Sequence, residues 1–508
     1  MRAQAPAACI TNLQMNFTCK KFYIGCLTLL FFFSHASGQS FSNLNFQDTC
    51  ISSKTGLCHW DLSWGDKESV RQQIVDSSMC LSITGKAESA VGFAEQAALY
   101  DVAKGMTIIS ISAFIKSENI IGKGAGLNIG LYDNEGTLVS TKDMGGVYSL
   151  NWIRETSPWK KYSISIVAPL KTAKVKIGAI LYGKGKAYFK NYKVNIVSID
   201  GRKPSKLAID YIEGACDTIK INSLVRDSID IEQLKRNALK IAGNAKQYSD
   251  CYLAISYLLE SLRPFGDEHS FFMSAAEVKN WENEGSQIDK IEYPIFKMID
   301  SCGYIFVPSF HGGNRKQILS FADSLQNGIQ ALYDSGIKGW IVDLRQNTGG
   351  NMAPMVAGLG PLFSNEKLGS LINVSGKPNS WYYKNGKYFW DADTGWSVSK
   401  PVTLSNRFPI AVLVSERTGS SGEAVAVSFV GNEKTKLFGQ PTWGLTTGNG
   451  NFELQDGSQI FLASTVYADR DGKKYGGKIR PDFIQDTSEK GENDLVVATA
   501  LRWLLSKN

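Results

Sequence analysis

From Gly303 onward, runs of strand length and runs of helix length take turns, and this alternation constrains the fold more than any other feature of the chain. Tyr304 to Val307 reads as a strand, Gln317 to Asp334 as a helix, Trp340 to Leu344 as a second strand, the stretch after Gly350 as a second helix and Pro409 to Val414 as a third strand. Strands separated by helices pair in parallel and are covered on their faces, which is an α/β core. A strand pair near Asn451 to Val466 and a helix over Leu495 to Leu505 complete a core expected at 286–508.

The first part of the chain follows another period. Met106 to Lys116, Gly126 to Tyr132, Lys161 to Val167, Lys174 to Tyr182 and Ala187 to Ile199 read as short strands, and Ser163-Ile164-Ser165-Ile166 and Lys174-Val175-Lys176-Ile177 alternate with period two. That pattern predicts a β-sandwich over 39–203. Asn43-Leu44-Asn45-Phe46, the later Trp60 and the strand entry Trp159-Lys160-Lys161-Tyr162 resemble the galactose-binding-like jelly rolls of secreted enzymes, which implies carbohydrate as a partner of residues 39–203; core packing is the alternative for such tryptophans. Between these regions, 204–285 reads as a small helical bundle. Asp230 or a neighbour caps a helix carrying Leu234, Ala238, Ile241 and Ala245, and a second helix follows Ser249, with Tyr252, Ile255, Leu258, Leu259 and Leu262 on one face, ending at Pro264.

A length of 508 residues exceeds what one core organises, so a multidomain chain is expected. Charged residues make up 20% and apolar ones 43%, which favours neither a disordered nor a polytopic membrane protein. The net charge of +7 is not gathered into a basic stripe, so no nucleic acid is expected as partner. Lys20 and Lys21 lead into the apolar run Phe22 to Phe33 and then into small residues as far as Gly38. That run is short of the roughly 20 residues that span a bilayer, so 1–38 reads as a signal peptide, with Met15 as an alternative start and no transmembrane anchor after cleavage. Cys26 lies inside the apolar run and not after it, which disfavours a lipoprotein anchor. The expected location is outside the cytoplasm, in a periplasm or at the cell surface. There Cys50, Cys58, Cys80, Cys216, Cys251 and Cys302 either pair or stay as buried thiols, and no zinc-ligand spacing is present.

Ligands of α/β folds gather where strands end and helices begin. One such turn is Val342-Asp343-Leu344-Arg345-Gln346-Asn347-Thr348-Gly349-Gly350, whose glycines let backbone N–H groups face a ligand, as in an oxyanion hole or a phosphate nest. Gly-x-Gly-x-x-Gly and Walker spacings are both absent, which weakens the phosphate option. The other turn is Ser415-Glu416-Arg417-Thr418-Gly419-Ser420-Ser421-Gly422-Glu423, leading into an apolar helix. A hydroxyl there is exposed at a helix N-terminus that favours a developing anion, although Ser, Thr and Gly in such places also simply cap helices.

Taken together, the two turns resemble the tail-specific, C-terminal processing serine peptidases, whose strand reads Asp-Leu-Arg-x-Asn-x-Gly-Gly and whose nucleophile lies in Thr-x-Ser-x-x-Glu. Asp343 to Gly350 and Thr418 to Glu423 match in order, and the likeness extends over about 205–508, including the closing Gly477-Lys478-Ile479-Arg480-Pro481-Asp482. It implies a ClpP/crotonase-like core, Ser420 as nucleophile, and an oxyanion hole of Ser421 with Gly349 or Gly350. One branch of the family takes its base from a Lys in Thr-x-Gly-Lys-Gly; here that segment is Thr442-Trp443-Gly444-Leu445, and Leu445 takes no proton. Asp267-Glu268-His269-Ser270 matches instead the Asp-x-His-Ser/Thr signature of the tricorn-like branch, which makes His269 the general base.

The resemblance weakens at the third member. The family's Glu before the Gly-x-x-Pro-Asp segment is Tyr475 here, leaving Glu268, Asp469, Asp471 and Glu423 as candidate orienting acids. Asp343 and Arg345 are expected to shape the turn as a buried pair. The stretch from His269 to Gly303 leaves no room for the peptide-binding PDZ domain that other members insert there. The expected activity is hydrolysis of a peptide or protein substrate through an acyl-enzyme, without cofactor or metal. Two alternatives are a catalytically idle relative that binds peptide or a hydrophobic ligand, and an adhesion protein acting through the sandwich.

Overall fold

In the computed structural model the chain is described over residues 41–507, apart from 49, 51–56, 63–68, 89, 101–104, 146–150, 200, 285–290, 312–313, 364–365, 392–394 and 486–493. The segment 1–38, read above as a signal peptide, lies outside the described residues. Among the described residues no helix is long and apolar enough to cross a membrane.

The N-terminal region is built from β1 (Val70–Val75), β2 (Ser78–Gly85), β3 (Val91–Leu99), β4 (Thr107–Tyr132), β5 (Leu138–Asp143), β6 (Ile153–Ala168) and β7 (Lys174–Ser198), all antiparallel. Two strands are far longer than their sequence punctuation predicts. The expected breaks at 117–125 and 183–186 fall inside β4 and β7, which shift register there but stay paired. Gly183 (φ 130°) shows why: a Cβ there would stand 2.2 Å from the carbonyl oxygen of Ile121, so only glycine allows the two bending strands to stay paired. The alternating residues Ile109, Ile111, Ala113 and Ile115 face a core closed by Phe46, Trp60 and Tyr192. Trp60 and Trp152 are buried, and Trp159 lies under the Lys190 ammonium with its Nε1 donating to Asp76 (2.8 Å), so these three indoles are spent on packing and pairing. Cys50 and Cys58 form a disulfide, whereas Cys80, Cys216, Cys251 and Cys302 are buried thiols.

Three helices follow, α1 (Lys206–Asn222), α2 (Ile231–Ile241) and α3 (Tyr252–Glu260). Asp230 caps α2 as expected, accepting from Gln233 N (2.9 Å); α1, capped by Ser205, was not foreseen. The helices do not enclose a core of their own. Their apolar faces share one cluster with Val167 and Ile199 of the sandwich region and with Leu454, Ile460 and Leu462 of the C-terminal region. The short strand β8 (Phe271–Met273), which precedes α4 (Ala275–Glu284), pairs with a strand from the far end of the chain. The helices and β8 are therefore stitched onto the C-terminal core, and this fixes His269 beside it.

That core holds two sheets. The first contains β9 (Ile295–Ile299), β10 (Cys302–Phe306), β11 (Gly339–Asp343), β16 (Ile410–Val414), β17 (Thr435–Gly439) and β20 (Phe483–Ile484), parallel except for β9. The second contains β12 (Glu366–Asn373), β13 (Pro378–Lys384), β14 (Lys387–Trp390), β15 (Trp396–Ser397), β18 (Thr447–Glu453) and β19 (Gln459–Asp469), with β8 at its side. Along β16, Ile410, Val412 and Val414 face one cluster with α5 (Arg315–Asp334), α6 (Met352–Leu359) and α7 (Ser421–Phe429), while Ala411 and Leu413 face α8 (Leu495–Leu505). Burial on both faces explains why this strand reads as an unbroken apolar run. The β12–β15 meander was not expected from the sequence.

Candidate active site

Because β11 and β16 are adjacent and parallel, the Gly-rich turns at their carboxyl ends meet. They interlock through hydroxyls and amides: Thr418 Oγ1 donates to the Leu344 carbonyl (2.9 Å), Ser415 Oγ to that of Arg345 (2.7 Å) and Gly419 N to that of Asn347 (3.0 Å). Arg345 pairs with both Asp343 (2.6 Å) and Asp494 (2.8 Å), and Tyr304 donates to Asp343 (2.7 Å). This network ties the first turn to the cap of α8.

Ser420 sits where the second turn enters α7, with φ 50° and ψ −121°. A non-glycine residue held there costs about 1–3 kcal/mol, and such strained strand-to-helix turns are how a nucleophilic hydroxyl is kept exposed. Glu423 secures the strained residue. Its buried carboxyl accepts from Ser420 N (2.9 Å), Gly444 N (2.9 Å) and Thr442 Oγ1. Burial pushes this carboxyl up to about 7, against the hydrogen bonds that favour its charged form.

His269 approaches from the helical side. Asp267 accepts from His269 N (3.1 Å), Ser270 N (2.9 Å) and Ser270 Oγ (2.6 Å), and Asn449 Nδ2 donates to the His269 carbonyl (3.0 Å), which clamps this segment against β18 and β19. The ring then lies with Nε2 3.2 Å from Ser420 Oγ and Nδ1 2.8 Å from Thr447 Oγ1. With Nδ1 donating to Thr447, Nε2 is left as the acceptor facing the serine hydroxyl. Burial lowers the imidazole below its ordinary range, and the Asp267 carboxylate and the Thr447 backbone oppose that shift.

Of the two glycines expected at the oxyanion hole, Gly349 has its N–H committed to Asn347 Oδ1 (3.0 Å). Gly350 N and Ser421 N donate no hydrogen bond among the described residues. They are also joined, since Ser421 Oγ donates to the Gly350 carbonyl (2.6 Å). Gly350 has φ 105°, and a Cβ on it would stand 2.1 Å from the Phe310 carbonyl oxygen, so the turn admits only glycine.

None of the four candidate orienting acids reaches the imidazole. Glu268 is exposed. Glu423 is engaged on the serine side, as described. Asp469, at the far end of β19, accepts from Lys473 N (2.9 Å) and Tyr475 Oη (2.9 Å), and Asp471 lies against Gly431, beyond the C-terminus of α7. The position beside Nδ1 belongs to Thr447, on β18, which carries no sequence signal that separates it from any other strand threonine. Tyr467 was equally invisible. It is buried, and burial and the Glu423 charge both push its ionisation up. Among the described residues no group of three or more His, Cys, Asp or Glu is placed to hold a metal ion.

Residues 301–485 match Peptidase family S41, so the chain carries a hydrolase domain of the C-terminal processing protease family. The Nisin-resistance protein of Lactococcus lactis subsp. lactis is 29% identical over 326 residues, 64% of this chain and 93% of its own length. The carboxy-terminal processing protease CtpA of Bacillus subtilis (strain 168) is 31% identical over 162 residues, 31% of each chain, so this chain spans about a third of that relative's length. A lipoprotein of known structure from Streptococcus agalactiae superposes with a TM-score of 0.49 at 26% identity, covering 60% of this chain and 98% of that one.

Proposed function

We propose that the protein is a serine peptidase in which Ser420 attacks a peptide carbonyl and His269 is its general base. One observation carries the reading: a strained serine at a helix N-terminus has an imidazole nitrogen 3.2 Å from its hydroxyl. His269 Nε2 takes the Ser420 proton as Oγ adds to the carbonyl, and Gly350 N and Ser421 N stabilise the oxyanion. The same proton passes to the departing amine as the C–N bond breaks. Water, deprotonated by His269, then releases the acyl group and restores Ser420.

The proposal extends to an extracytoplasmic location. The signal-like 1–38 segment supports it, and so does the Cys50–Cys58 disulfide, since such bonds persist in oxidising compartments. The Lactococcus relative's name makes nisin a substrate to include in any assay. A second reading, a peptide-binding relative with feeble chemistry, is favoured by the hydroxyl of Thr447 standing where a triad has a carboxylate. Labelling with a fluorophosphonate decides between them. Wild-type protein should label while Ser420→Ala and His269→Ala do not; an unlabelled wild type, or labelling that survives in Ser420→Ala, removes the catalytic reading.

A further inference from the structure

A cleft of about 500 Å³ opens directly from the oxyanion donors. It is lined by Gly350, the first turn of α6 with Met352, Ser421, the aromatic side chains of Trp390 and Trp396, and the largely buried Tyr388. We propose, resting on the serine-peptidase reading, that this cleft holds the side chain of the substrate residue on the acyl side of the scissile bond, and that it selects large apolar and aromatic residues.

Three observations carry the assignment. The cleft is continuous with Gly350 and Ser421, so a carbonyl polarised by their N–H groups has its own side chain at the entrance. Neither His269 nor Thr447 lines it. The leaving amine must collect its proton from His269, so the leaving half lies on the imidazole side and the cleft faces the acyl half. No residue lining the cleft carries a charge, and a charged side chain entering would lose its hydration without a partner. Trp390, Trp396 and Met352 contribute indole rings and a polarizable thioether to this uncharged lining, and these suit aromatic and long aliphatic groups.

Trp396 is the residue to change, because it stands on the edge strand β15 and is 37% exposed, so its truncation leaves the core packing in place. Three product-like peptides, identical except for a final Phe, Ala or Asp, are titrated into the Ser420→Ala protein and followed by tryptophan fluorescence. The Phe peptide should bind on the order of tenfold or more tighter than the Ala peptide, and the Asp peptide weakest. In Ser420→Ala/Trp396→Ala the Phe advantage should collapse toward the Ala value with the melting temperature retained, and Ser420→Ala/Trp396→Glu should reverse the order toward a peptide ending in Lys. Equal binding of the three peptides, or a Phe advantage untouched by both Trp396 substitutions, overturns the proposal. Binding needs no chemistry, so a wild type that fails to label with fluorophosphonate defeats the catalytic reading and leaves this measurement decisive for the cleft.

Discussion

If Thr447 orients His269, replacing it should move both the rate and its pH dependence in calculable directions. The hydroxyl sits 2.8 Å from Nδ1. Thr447→Val keeps the volume and removes this partner. A net hydrogen bond is worth about 0.5–1.5 kcal/mol, so the loss in kcat/KM should be about 2- to 13-fold. Thr447→Asp places a carboxylate where the hydroxyl was. A charge-assisted bond to the imidazolium is worth about 1.5–3 kcal/mol against about 1 for the neutral one, so the net gain in transition-state stabilisation is about 0.5–2 kcal/mol, or roughly 2- to 30-fold. The sign of the pH effect is also fixed. Catalysis needs neutral His269, whose protonation burial now pushes below the ordinary value of 6.5, so the wild-type acid limb lies below that pH. The new carboxylate favours the protonated ring and moves the limb up by about one pH unit or more. The assay is the second-order rate of fluorophosphonate labelling from pH 4.5 to 9. If Thr447→Asp leaves the limb where it is in wild type and Thr447→Val labels at the wild-type rate, Thr447 does not orient the base.

Two further outcomes test the supports of the nucleophile. Glu423 has its folded value raised to about 7 from 4.5, so folding takes up a proton between these values and stability from this group falls as pH rises through that window, by about 3 kcal/mol, then stays level above it. His269, whose value is lowered, works in the opposite direction below pH 6.5, so the effect is isolated by comparison: thermal melts of wild type and Glu423→Gln between pH 4.5 and 8 should differ in slope, and parallel curves would show that the buried carboxyl is not what titrates. Gly350→Ala should lower both stability and labelling, the latter by about 10²–10³-fold as one oxyanion donor is displaced; labelling near the wild-type rate would mean that the Gly350 N–H is not a donor in the reaction.

Much of the core was legible because its signals are local. The runs Trp340 to Leu344 and Pro409 to Val414 are apolar on both faces since α5, α6 and α7 cover one side of the sheet and α8 the other. The sandwich strands were found but cut in two, because glycines at 122–124 and 183–185 look like turn punctuation whether a strand ends there or only bends. What distinguishes the cases is the close approach of Gly183 to Ile121, a contact across two strands more than fifty residues apart in sequence that no window of either one contains. The β12–β15 meander was missed because Lys387 to Trp390 and Trp396 to Ser397 are short and mixed in polarity, their burial being decided by the neighbours they pair with.

The site divides along the same line. Ser420 is readable because a strand, a Gly-flanked hydroxyl and a helix follow one another in the chain, and Glu423 is readable as the acid one helical turn later that can bond back to the serine amide. Its role was nevertheless ambiguous, since an acid at that position can serve the serine or the base, and only the fold shows that its oxygens are committed to Ser420, Thr442 and Gly444. Thr447, Tyr467 and Trp396 had no such local mark, since each gains its place through strand pairing in the second sheet, where β18 and β19 carry the first two to Ser420 and His269 and β15 carries the third to the cleft. Under the proposed function, the chemistry of attack is therefore written in two turns of the parallel sheet, whereas control of the base and choice of substrate reside in the antiparallel sheet. Substitutions in β14, β15 and β18 can in consequence change pH dependence and selectivity while the motif-bearing turns stay intact.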